Sequence, residues 1–143
     1  MNTYPPAARP AVLFVCVKNG GKSQMAAGLM KFEAGEDMTV SSAGTSPGTA
    51  INVLSAEVLQ DLGIDITAER PTGLTADAMR AAGFVVVLGT EPKVPSIDGV
   101  RTETWVTDEP SLRGIEGKER MELVRDDIHA RVKDLRYRLL GSR

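Results

Sequence analysis

Two short, unbroken apolar runs dominate the pattern of the chain: residues 12–17 (Val-Leu-Phe-Val-Cys-Val) and 84–88 (Phe-Val-Val-Val-Leu). Both are rich in β-branched residues and have the length of strands covered on both faces. Residues 38–41 predict a short strand. Residues 100–106 are more polar and predict a strand at a sheet edge. Helical spacing fills the intervals. Met25, Leu29 and Phe32 fall on one face, as do Leu54, Val58 and Leu62 around a helix over 55–62 that Gly63 stops. Thr75 caps a helix over 76–82, ended by Gly83. A long helix over 118–140 carries Met121, Val124, Ile128, Leu135 and Leu139, with Gly141 behind it. Strands alternating with helices predict an α/β fold, a single domain with a four-stranded parallel sheet and helices on both faces. Residues 35–37, 43–49, 65–73 and 108–117 read as connections. Residues 1–10 hold three of the eight prolines and little to bury, and predict a disordered lead-in to a domain spanning 11–143.

The first apolar run ends at a chemical feature. Cys16, the only cysteine, stands where the strand runs out, and Val17-Lys18-Asn19-Gly20-Gly21-Lys22-Ser23 follows before a helix begins. Asn19, Gly20 and Gly21 tolerate positive φ, so the chain can curl tightly. Ser23 is the predicted N-cap. Such a turn converges the backbone N–H groups of residues 17–22 in front of a helix N-terminus, which is a nest for a tetrahedral oxyanion. The same setting favours a thiolate: helix N-termini and neighbouring cations lower a cysteine pKa to ~3.5–7.5. Lys22 adds a charge at the rim, and Ser23 is placed to donate to the sulfur. One loop thus supplies a nucleophile and an anion cradle. Two other readings are weaker. A merely buried thiol leaves the Gly-rich turn and Lys22-Ser23 unexplained. A nucleotide P-loop fits Gly21-Lys22-Ser23, but Cys16 occupies its first glycine position and no strand ending in Asp follows for Mg²⁺.

These residues resemble the signature loop of the low-molecular-weight protein tyrosine phosphatases. They are closer to the arsenate reductases of that family, and closest to the actinobacterial, mycothiol-dependent branch. Ser42-Ala43-Gly44-Thr45, residues 59–65, Trp105, Glu109-Pro110 and the final helix extend the resemblance over residues 12–140. It implies that Ser42 braces Asn19. It also implies that Glu109, before Pro110, stands at the position of the general acid, with the neighbouring Asp108 as a substitute. The family gives His129 no role; beside Ile128 on the last helix it is expected to face solvent. Asp65 and Glu33 are likewise expected to be surface or helix-end acids.

Three departures separate reductase from phosphatase. Lys22 replaces the loop arginine of the phosphatases and cannot make the planar fork that clamps two phosphoryl oxygens. Ser111-Leu112-Arg113 follows Pro110, and with two Tyr, three Phe and one Trp the chain provides poorly for stacking a phosphotyrosine ring. The thioredoxin-linked arsenate reductases carry two further cysteines as a disulfide relay, and residues 89–95 here hold none.

Composition removes other classes. The 143 residues are 42% apolar, enough for one core, and 17 basic against 19 acidic residues give a net charge of -2. That offers no basic stripe for nucleic acid. The longest apolar run, residues 11–17, is too short to span a membrane, and the N-terminus lacks a signal-peptide pattern. One Cys and one His leave no metal cluster, and the lone thiol points to a reducing, cytoplasmic setting. The resemblance therefore implies an arsenate reductase, and the residues add no metal or bound cofactor to that expectation. An oxyanion is its substrate, and mycothiol, backed by a mycoredoxin or glutaredoxin-like protein, is the implied co-substrate. A phosphatase of weak or unusual specificity and a non-catalytic oxyanion-binding or regulatory protein are the alternatives.

Overall fold

The computed structural model describes residues 9–141. Of the expected lead-in, residues 1–8 lie outside the described residues. Pro10 is tied to the domain through its carbonyl, which accepts from the Thr39 N–H. Four parallel strands form one sheet: β1 (Ala11–Cys16), β2 (Thr39–Gly44), β3 (Phe84–Leu88) and β4 (Arg101–Trp105), in the order β2-β1-β3-β4. The α/β fold, the parallel sheet and the edge placement of β4 agree with the sequence pattern.

Alternation along β1 divides the core. Val12 and Phe14 join Phe84, Val86 and Trp105 under α1 (Lys22–Ala34), α2 (Val53–Gln60) and α4 (Gly117–Leu140). Leu13 and Val15 turn to the other face, where Val85, Val87 and Met79 of α3 (Ala76–Ala82) cover them. Both faces are thus dry, as the unbroken apolar runs require.

Several local expectations are corrected. Gly21, not Ser23, occupies the N-cap of α1, and Ser23 lies inside the first turn. Its side chain is spent on the loop instead. Phe32 is 58% exposed, because α1 is buried continuously from Ser23 to Met30 and its contact stripe does not reach Phe32. On α2, Val58 and Leu59 are buried while Leu62 falls beyond the helix end, exposed. β2 runs on to Gly44, so Ser42 lies in a strand. His129 does not face solvent: its Nε2 sits 2.7 Å from Glu33 Oε1, joining α4 to α1.

The connection leaving β1 turns to β2 on one side, and β3 then adds on the other. The carboxyl end of β1 is therefore the point where the sheet order reverses, the place where open parallel sheets bind ligands. Cys16 sits at that end. Gly44, paired with Cys16, lies so close to the loop that a Cβ there would stand 2.6 Å from the Val17 carbonyl oxygen. Gly44→Ala is expected to push the loop off β2 and to cost about 1–3 kcal/mol of stability, read as a lower urea midpoint. An unchanged midpoint would show that this close approach is not required.

Candidate active site

The loop between β1 and α1 is fixed from outside by a strap, residues 45–52. The carbonyls of Cys16, Val17, Lys18 and Gly20 accept hydrogen bonds from the N–H groups of Thr45, Ser46, Gly48 and Asn52, at 2.7–3.1 Å. A trans peptide holds its C=O and the following N–H in opposite directions. Carbonyls turned to the strap therefore turn the N–H groups of Val17, Lys18, Asn19 and Gly21 to the inner side of the loop. Asn19 verifies the direction, since its N–H points at Cys16 Sγ, 3.2 Å away. Gly20 permits the strap to approach; a Cβ there would lie 2.9 Å from the Ala50 carbonyl oxygen.

Asn19 is the buried centre of the loop. It takes φ 53°, a left-handed conformation that Asn tolerates better than most residues. Its Oδ1 accepts from the Thr72 N–H at 2.9 Å and from Gln24 Nε2 at 3.1 Å. Because a backbone N–H can only donate, the amide orientation is fixed. Asn19 Nδ2 then donates to Ser23 Oγ at 2.8 Å. The Ser23 oxygen lies 2.8 Å from Cys16 Sγ, and to a thiolate, which can only accept, the hydroxyl donates. Two donors, Asn19 N–H and Ser23 O–H, thus converge on a half-buried sulfur, an arrangement suited to negative charge there. Lys22 opens α1, half-buried, and no carboxylate among the described residues pairs with it.

The structure brings together Cys16, Val17, Lys18, Asn19, Gly20, Gly21, Lys22 and Ser23. Ser42 takes part differently from the expectation. Its carbonyl accepts from Thr72 Oγ1, and the Thr72 N–H braces Asn19, so the support passes through Thr72. Thr72 and Gln24 were not legible in the sequence. Thr72 lies 53 positions from Asn19 and acts through its backbone; Gln24 looks like any polar residue on a helix, although its Nε2 also ties the Asn19 and Arg70 carbonyls.

The two expected acids lie on the loop after β4, beyond the carboxyl end of the parallel sheet, the end at which Cys16 also lies. Both are engaged. Glu109 accepts from Arg120 Nε and Nη2 at 2.7 and 2.9 Å and from Ser111 Oγ at 2.6 Å. Arg120, then Ser111, holds its carboxyl down at about 2. Asp108 accepts from Arg113 at 2.8 and 3.1 Å, which lowers its carboxyl too. In this conformation neither carries a proton to donate near neutral pH. Among the described residues no cluster of His, Cys, Asp or Glu is set to hold a metal, and no helix is long and apolar enough to cross a membrane.

A cysteine cradled by inward N–H groups, at the reversal point of a parallel sheet, is the arrangement of an oxyanion-binding loop on a phosphatase-type fold. The chain belongs to the low molecular weight phosphotyrosine protein phosphatase family, which matches residues 11–140. It is 30% identical over 139 residues to arsenate reductase 1 of Staphylococcus haemolyticus, covering 92% of this chain and 98% of that one. It is 30% identical over 132 residues to the arsenate reductase of Shouchella clausii, covering 88% and 94%. Among solved structures, the thioredoxin-dependent arsenate reductase of Corynebacterium glutamicum superposes with a TM-score of 0.81 at 31% identity. That match covers 96% of this chain and 65% of the other.

The Glu109 pair sets a pH dependence. A carboxyl depressed from 4.5 to about 2 in the folded state adds stability above its unfolded pKa, and loses it as pH falls from 4.5 towards 2. Glu109→Gln is expected to destabilise the protein at neutral pH, with the gap to wild type narrowing as pH drops below about 4.5. Urea unfolding at several pH values reads this; a gap independent of pH would contradict it.

Proposed function

We propose that this protein is an arsenate reductase in which Cys16 is the nucleophile and a small thiol from outside the chain resolves the adduct. The oxyanion sits in the loop, its oxygens facing the N–H groups of residues 17–22 and the Lys22 ammonium. The Cys16 thiolate attacks As(V): a sulfur–arsenic bond forms, an arsenic–oxygen bond breaks, and the oxygen leaves as water. A small thiolate then attacks arsenic, and Cys16 departs as the thiolate. A second thiol attacks the sulfur of the thiol–arsenate product. A disulfide forms, the electron pair stays on arsenic, and arsenite is released. Mycothiol is the proposed donor, with a mycoredoxin or glutaredoxin-like protein for the last step, in a cytoplasmic setting.

The observation that carries this reading is the hydrogen-bond relay ending on the sulfur of the only cysteine. It builds one nucleophile and leaves no second thiol in the chain to resolve an adduct. The named arsenate reductases at 30–31% identity support arsenate as the substrate. Lys22 weighs against phosphate esters. Ester cleavage spreads charge over equatorial oxygens that a guanidinium fork holds and a compact ammonium does not.

The test is arsenite production from arsenate with three donors: mycothiol with mycoredoxin, glutathione with glutaredoxin, and thioredoxin with its reductase. A small-thiol system is expected to sustain turnover and thioredoxin alone is not; sustained arsenite from thioredoxin without a small thiol would overturn the route. Lys22 offers a second check through kcat/KM for arsenate and for an aryl phosphate. Lys22→Ala is expected to lose most arsenate activity. Lys22→Arg is expected to stay within about tenfold, ~1.4 kcal/mol of barrier, while aryl phosphate hydrolysis rises from near zero. Equal ester hydrolysis by wild type and the Arg variant would place a phosphatase first.

A further inference from the structure

The leaving oxygen needs protons, and the loop after β4 is where the family resemblance seeks them. Both acids beside Pro110 in that loop, Asp108 and Glu109, are engaged. Arg120, from the first turns of α4, grips both oxygens of Glu109, and Ser111 Oγ and N–H add to Oε1. Arg113 grips both oxygens of Asp108. The Asp108 backbone N–H is itself held by Asp127 Oδ2 of α4, and Arg131 binds both Asp127 and the Val106 carbonyl. Glu116 adds negative charge beside Arg120, which strengthens its hold as a cation. Ion pairs on both carboxylates and two further ties to α4 make this segment a fastening.

We propose that the departing water takes both of its protons from the substrate, dihydrogen arsenate, and that the Glu109–Arg120 and Asp108–Arg113 pairs position the loop instead of donating a proton. This rests on Cys16 being the arsenate nucleophile. The step balances: the thiolate and dihydrogen arsenate, each carrying one negative charge, give a dianionic cysteine–arsenate adduct and one neutral water. The leaving hydroxyl brings one proton, and the second hydroxyl of the same arsenate gives the other. A phosphate monoester dianion has no such proton to give. The paired carboxylates therefore discriminate for arsenate alongside Lys22.

The test is kcat/KM for arsenate, with the thiol system saturating, for wild type, Glu109→Gln and Asp108→Asn across about pH 5.5–8.5. Wild-type activity is expected to fall as arsenate loses its second proton. Both variants are expected to keep that profile and to lie within about tenfold of wild type. A positioned general acid contributes about 10²–10⁴-fold. A loss of that size in a variant that remains folded by circular dichroism would overturn the proposal. If a variant fails to fold, the wild-type profile decides: a rate that stays level through the second ionisation of arsenate would overturn it equally. Wild type that turns over no arsenate with any thiol would sink the proposed function itself. Normal turnover with a crippled Glu109→Gln would sink only this inference.

Discussion

The site depends on one buried amide. Asn19 holds a left-handed backbone conformation, gives its N–H to Cys16, accepts from the Thr72 N–H, and donates to Ser23. Each bond constrains the next. A fixed backbone donor at Thr72 sets which end of the amide faces outward. That end sets the donor to Ser23, and Ser23 in turn has a hydrogen to give to a Cys16 thiolate. A buried amide left half-satisfied would cost about 1–3 kcal/mol, so the network either stands complete or is abandoned. The same network that orders the loop also points donors at the nucleophile.

The sheet and strap supply what Asn19 cannot. β2 delivers Gly44 beside Cys16, and Gly44 pairs through its N–H and C=O with Thr72 and Leu74. That pairing holds Thr72 where Asn19 needs it. The strap then takes up the loop carbonyls, and peptide geometry turns the N–H groups inward. The oxyanion cradle is therefore built mainly from backbone, and its rigidity comes from elements distant in sequence. Lys22 contributes charge without geometry. The reductase reading follows from that division: the loop is sufficient to gather a tetrahedral anion, while the side chain that would tighten around a phosphoryl transition state is absent.

Much of this was legible in the chain, for identifiable reasons. Unbroken apolar runs mark strands buried on both faces, so β1 and β3 stood out, and the bounds of α3 followed from Thr75 and Gly83. The Gly-rich turn after Cys16 announced the cradle. Ser23 was misassigned because a serine at a helix start satisfies the N-cap pattern equally well, and only the tertiary structure shows which partner wins. Phe32 misled because α1 is buried almost all round, which leaves little periodic signal. The pairs made by Glu109 and His129 depend on where α4 packs, 11 and 96 positions from their partners, and no local pattern encodes that.

The central claim is that the Asn19–Ser23 relay prepares Cys16 and that the loop beside it holds an oxyanion. Alkylation of Cys16 by iodoacetamide near pH 6, with and without arsenate, in wild type and Ser23→Ala, tests both parts at once. Wild type is expected to react well above a free thiol and to be protected by arsenate. Ser23→Ala is expected to react about tenfold or more slowly at that pH, since a charge-assisted hydrogen bond is lost, while keeping protection by arsenate through the backbone cradle. Wild-type reactivity no greater than that of a free thiol, unaffected by arsenate and by the substitution, would contradict the account.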